Sequence, residues 1–172
     1  MKIGLDSSVL VASVKKVGEP YHASSLKLSH RISQGDSFSV ASALVLLEVP
    51  SALTSSTRMP IEKIYEVAAP LQDAFKLRIM DFENYTDLAG DLIFELRELK
   101  SRLEIPSADF HHVATSIREG CDLFVTTDER HILRPECRSR FERHIKIADP
   151  DEASERAVVE TGELSLSPLN QV

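Results

Sequence analysis

The sequence predicts an α/β fold: a central parallel sheet of four to five strands with helices on both faces. Three observations carry this reading. Short apolar or alternating runs recur along the chain, separated by longer stretches with helical spacing. Strands that alternate with helices need crossover connections, and these build parallel sheets. The chain has 172 residues, 42% hydrophobic and 27% charged. That is the size and balance of one globular domain with a buried core, not of a disordered, fibrous or disulfide-held chain.

The elements follow in order. Lys2-Ile3-Gly4-Leu5 reads as a buried strand ending at Asp6, and a helix runs from there through Val14. Gly18-Glu19-Pro20 breaks the chain. Ala23, Leu26, Leu28 and Ile32 mark a helix over 21–34, stopped by Gly35-Asp36. Residues 37–41 alternate polar and apolar and read as a second strand. Ser42 then caps a helix through Val49 that Pro50 kinks, and the Ser/Thr-rich stretch 51–60 reads as a loop or frayed helix end. A helix over 61–76 leads into a short strand at 77–81. Residues 84–102 read as one helix with Leu88, Leu92, Ile93, Leu96 and Leu99 on one face. Pro106-Ser107 opens a helix over 107–119, ended by Gly120. Residues 122–128 are the clearest strand, and 144–148 read as the last. Residues 1–148 thus form the domain. Residues 149–172, with no sustained apolar period, are expected to be a loosely ordered acidic tail.

The net charge of −7 argues against bulk coating of nucleic acid. It is uneven, however. Residues 149–172 hold six acids and one base, which leaves the body at −2. No apolar run reaches the ~18 residues of a membrane span. Cys121 and Cys137 lack a CxxC context, and Met1-Lys2-Ile3-Gly4 opens no leader, so inert thiols in a reducing cytoplasm are expected.

In an open parallel sheet, ligands bind outside the carboxyl ends of the strands. Asp6 and Asp128 directly follow strands, Asp109 sits in the first turn of a helix, and Glu48 lies inside the apolar run 44–49. Each has an ordinary structural alternative: a helix cap for Asp6, a solvated charge for Glu48, a dipole partner for Asp109, a turn for Asp128. A carboxylate inside an apolar run is costly unless paired or bound to a metal. Carboxylates converging in one cleft stay ionised together around a hard divalent cation, Mg²⁺ or Mn²⁺.

Four segments carry a family resemblance. Asp6-Ser7-Ser8-Val9-Leu10 resembles the opening acidic motif of PIN-domain nucleases, and residues 42–53 around Glu48 resemble their second. Asp109-Phe110-His111-His112-Val113-Ala114 is similar to their D-x-x-H-x-A helix, and Val125-Thr126-Thr127-Asp128 to their V-T-x-D strand end. The likeness spans roughly residues 1–148 and is greatest to the toxin ribonucleases of toxin–antitoxin pairs. It implies a Rossmann-like PIN fold and a metal-dependent endoribonuclease. Asp6, Glu48, Asp109 and Asp128 would hold Mg²⁺ or Mn²⁺ and activate water, with Ser8 and Thr126 orienting them. His112 is expected to pack or hydrogen-bond. Many relatives carry a further Asp two residues after the last acid. Here that position is Arg130, which points to one firmly held ion.

Residues 130–146 hold six bases and two acids, and Arg130, Arg134 and Arg138 are candidate contacts for an RNA backbone. The apolar face of 61–76 is a candidate surface for an antitoxin or for a second copy in a homodimer. Two rival readings remain: a non-catalytic PIN-like RNA-binding or scaffolding module, and a free-standing RNA-processing nuclease without an antitoxin. Other phosphate chemistries lack their residues. Ser8 stands where a haloacid-dehalogenase phosphatase needs its second Asp, and no P-loop or Gly-x-Ser-x-Gly elbow occurs.

Overall fold

The computed structural model describes residues 1–57 and 60–159. In chain order the elements are β1 (Lys2–Leu5), α1 (Ser7–Val14), α2 (His22–Gln34), β2 (Phe38–Ser42), α3 (Val45–Thr57), α4 (Ile61–Ala68), α5 (Leu71–Ala74) and β3 (Leu77–Met80). A 3₁₀ turn (Glu83–Tyr85) leads to α6 (Thr86–Glu95), α7 (Arg97–Leu103), α8 (Ser107–Arg118), β4 (Leu123–Val125), α9 (Pro135–Phe141), β5 (Lys146–Ala148) and α10 (Pro150–Val159). The five strands form one parallel sheet in the order β3-β2-β1-β4-β5. Strand alternation sends side chains to two cores. Ile3, Leu5 and Val125 point to the α1–α4 side, where they meet Leu10, Leu28, Val49 and Leu53. Phe124 and Ile147 point to the other side, among Leu92, Phe110, Val113 and Phe141.

Gly4 faces that second side. A Cβ there would overlap the Ser116 hydroxyl and lie 2.5 Å from the Ser116 Cβ. The missing side chain lets α8 lie directly on β1. Ser116 itself is buried and donates to the His112 carbonyl at 3.0 Å.

Several boundaries differ from the sequence reading, each for a local reason. The helix through Pro50 continues to Thr57, and the Thr54 and Ser55 hydroxyls bond back to the carbonyls of Pro50 and Ser51. Ser42 ends β2 rather than opening a helix, but its hydroxyl still accepts the Leu44 N–H at 3.2 Å. The helix expected over 61–76 divides into α4 and α5 at Ala69-Pro70, because proline cannot supply the continuing N–H. The helix expected over 84–102 divides at Leu96, which leaves helical geometry (φ −103°, ψ 19°). α9 lies inside the basic stretch and starts at Pro135, a favourable first helical position.

The segment expected to be a loose tail opens instead as α10, which packs on α2. Its start is a capping box: the Glu152 N–H donates to Asp149 Oδ1 (2.8 Å) and the Asp149 N–H to Glu152 Oε2 (3.1 Å). On its buried side are Ala153 and Ser154. Both are small, so no large apolar period announces the helix. Residues 160–172 lie outside the described residues. Glu152→Ala removes half the capping box and the Arg138 partner. It is expected to cost about 1 kcal/mol, read as a lowered denaturant midpoint.

Both cysteines are free, and burial pushes their thiols up, Cys121 to about 12 and Cys137 to about 11, as inert thiols require. Among the described residues, no helix is long and apolar enough to cross a membrane.

Candidate active site

The strand order reverses direction between β1 and β4, and the crevice beyond their carboxyl ends is where an open α/β sheet takes its ligands. The two loops leaving these strands are stitched together there. The Asp6 N–H donates to the Val125 carbonyl at 3.0 Å. Asp6 Oδ2 accepts the Thr126 hydroxyl at 2.6 Å and the Ser8 hydroxyl at 2.7 Å. Each hydroxyl accepts in turn: Thr126 Oγ1 from the Asp128 N–H (3.1 Å), Ser8 Oγ from the Thr127 N–H (3.0 Å). Ser8 and Thr126 therefore fix one oxygen of Asp6 and aim the backbone that carries Asp128.

The other two carboxylates come from helices. Glu48 on α3 accepts a 2.6 Å hydrogen bond from Nε2 of His112 on α8, and the same nitrogen lies 3.9 Å from Asp6 Oδ1. Asp109, three residues before His112, lies on the same side of α8. Asp6, Glu48, Asp109 and Asp128 thus converge from four separate segments of sequence.

Their charges interact strongly. Burial pushes the Asp109 carboxyl up, and repulsion from Asp6 and Asp128 adds to it, to about 8. Asp109 Oδ2 is shut from solvent and has no hydrogen-bond partner. Burial works against the charged form of His112, yet the Glu48 hydrogen bond and the charges of Asp6, Glu48 and Asp109 outweigh it and raise its pKa. Burial is the largest single influence on the Glu48 carboxylate and opposes its charge, but the His112 hydrogen bond and charge, with a Ser7 hydrogen bond, together outweigh it and hold Glu48 below its usual range. The site is an anionic pocket neutralised only in part by one buried imidazole.

A second histidine closes the other half. Asp128 Oδ1 accepts the N–H groups of Arg130 (2.9 Å) and His131 (3.1 Å), and this turn brings His131 Nδ1 to 3.0 Å from Asp128 Oδ2. The same nitrogen lies 3.7 Å from Asp109 Oδ2. Asp109, Asp128 and His131 can each present a ligand atom within 4.8 Å of the others; among the described residues this is the one group so spaced, and Asp6 and Glu48, expected as ligands, fall outside it. The sequence reading passed over His131, although Asp128 to His131 has the same three-residue spacing as Asp109 to His112.

The basic candidates separate. Arg130 and Arg134 are exposed. Arg138 is withdrawn as an RNA contact: its guanidinium is spent on Glu142, on Glu152 and on the Ile147 carbonyl, tying α9 to β5 and α10. Its signal in the sequence was only the local density of bases.

The donor set fits a divalent cation. Four carboxylates offer hard oxygens, and the partnerless, buried Asp109 Oδ2 is unfavourable without a positive partner.

The family model of the PIN domain matches residues 3–135. Among solved structures, a chain of the VapBC2 crystal structure from Rickettsia felis, bound to a DNA fragment from its promoter, is similar in fold. The TM-score is 0.59 at 20% sequence identity, covering 87% of this chain and 98% of that one. Among curated proteins, none matches the chain.

Proposed function

The chain belongs to the PIN domain family, and from that premise we propose that it is a metal-dependent endoribonuclease and the toxin of a toxin–antitoxin pair. The observation that carries the nuclease reading is that Asp6, Glu48 and Asp128 all press their charge on Asp109, whose Oδ2 is buried and makes no hydrogen bond. These four would hold Mg²⁺ or Mn²⁺, which supplies charge against the phosphodiester and lowers the pKa of a bound water. The chain's own residues supply the geometry. Ser8 and Thr126 lock one oxygen of Asp6. His112 holds Oε2 of Glu48 and offsets part of the negative charge. Arg130 is exposed beside the Asp128 turn, and in this reading its guanidinium meets a substrate phosphate.

The test is incubation of purified protein with single-stranded RNA, duplex RNA and single-stranded DNA, with Mg²⁺, with Mn²⁺ or with chelator. We expect cleavage of single-stranded RNA only, abolished by chelator and by Asp6→Asn. Equal cutting by wild type and Asp6→Asn, or none by either, sinks the reading.

The toxin reading draws support from the fold likeness to the VapBC2 chain and from an apolar groove beside Glu48. That groove, about 290 Å³, lies between α3 and α4–α5 and includes Val45, Leu46, Val49, Tyr65 and Ile79. Leu46 and Tyr65 are exposed there, a surface for an antitoxin segment or a second copy. Growth arrest on expression, relieved by the product of an adjacent small gene and absent for Asp6→Asn, is the expected result. Activity without arrest would favour a free-standing RNA-processing nuclease.

A further inference from the structure

We infer that His131 is itself a ligand of the divalent cation, through Nδ1, so that the site is a mixed carboxylate–imidazole centre. This rests on the metal-site reading above and deepens it. Arg130, two residues after Asp128, has an exposed side chain, and its backbone N–H is turned onto Asp128. The next residue turns inward instead. His131 is 8% exposed, and its Nδ1 faces the pocket.

The spacing is that of co-ligands. Two atoms bound at right angles to one ion, each about 2.1 Å from it, stand about 3.0 Å apart. His131 Nδ1 is 3.0 Å from Asp128 Oδ2 and 3.7 Å from Asp109 Oδ2. A second observation is independent of these distances: Asp109 Oδ2, on the far side of the same gap, is buried and receives no hydrogen bond from any side chain. If His131 merely oriented Asp128, Asp109 would still lack a partner. A cation between the three atoms gives Asp109 Oδ2 the partner it lacks, with Nδ1 as a lone-pair donor; the ring proton then sits on Nε2, which is buried and makes no hydrogen bond to the protein.

The consequence is a metal preference. An imidazole nitrogen suits Mn²⁺ and the later first-row ions better than Mg²⁺, which takes oxygen ligands.

The experiment uses the full chain and Mn²⁺ alone. Pulsed electron paramagnetic resonance detects modulation from an imidazole nitrogen bonded to Mn²⁺, and thermal shift reports whether Mn²⁺ is bound. We expect nitrogen modulation in wild type. In His131→Asp we expect its loss with Mn²⁺ still bound, together with stabilisation by Mg²⁺ that approaches that by Mn²⁺. His131→Asn, closer in shape, is the second variant should the aspartate fail to fold. Bound Mn²⁺ without nitrogen modulation in wild type overturns the assignment and leaves the metal site standing. Modulation that survives in either folded variant also overturns it. Absence of any Mn²⁺ binding by wild type overturns both readings.

Discussion

Asp109→Asn is expected to lower RNA cleavage by at least about 100-fold and to abolish stabilisation by Mn²⁺, while making the metal-free protein more stable at alkaline pH. The activity figure is a floor, since loss of groups that merely support a metal ligand already reaches that size. The stability effect follows from crowding. Burial and the charges of Asp6 and Asp128 raise the Asp109 carboxyl to about 8. A carboxyl raised in the folded state contributes stability that is complete below its unfolded value, near 4, and is lost as pH rises through its folded value. Metal-free wild type should therefore lose stability between about pH 4 and 8. The Asn variant lacks this ionisation and should hold its melting temperature across the window better than wild type. Melting curves in chelator at pH 5 and pH 9, for both proteins, measure it. If wild type shows no extra loss at pH 9, Asp109 is not crowded as the geometry states. With Mn²⁺ the ranking should reverse at pH 9, because the cation replaces repulsion by coordination only where Asp109 can ionise.

Much of this site was legible in the sequence because the fold class fixes where a strand's last polar residue must go. Asp6 directly follows β1 and Asp128 lies three residues past the end of its parallel neighbour β4, and Glu48 stood out as a charge among leucines and valines. Ser8 and Thr126 were readable for the same reason, each two residues from an acid. What escaped was set by packing between distant segments. His131 announces itself only once the Asp128 turn carries its ring toward Asp109 on α8. Arg138 looked like its neighbours in a basic run until α10 placed Glu152 against it. α10 itself was hidden because its buried side chains, Ala153 and Ser154, are small, yet Asp149-Pro150-Asp151-Glu152 spells its capping box in the sequence. The two divided helices are the converse case. Pro70 was a readable breaker inside 61–76, whereas nothing in the residues around Leu96 marks its departure from helical geometry.

Gly4→Ala is expected to be the most destabilising single-atom addition on the functional face of the sheet, at about 3 kcal/mol or more. The added Cβ meets the Ser116 hydroxyl and the Ser116 Cβ, 2.5 Å away, on a buried helix that has no room to retreat. A third neighbour, Phe124 Cδ2, stands at 3.3 Å and yields more easily. For a chain of this length, ~3 kcal/mol corresponds to a melting temperature lower by roughly 6–12 °C. The rescue pattern is specific. Ser116→Ala keeps the offending Cβ and should restore little, whereas Ser116→Gly removes both clashing atoms and should recover most of the loss, less about 1 kcal/mol for a glycine inside a helix. Equal rescue by both would show that only the hydroxyl matters. The effect should reach the chemistry as well. Asp6 directly follows β1, and α8 carries Asp109 and His112, so the Gly4–Ser116 contact sets the distance between two halves of the carboxylate pocket. Below its melting temperature the folded fraction of Gly4→Ala should therefore bind Mn²⁺ more weakly than wild type, measured by titration of the thermal shift, and Ser116→Gly should restore binding along with stability.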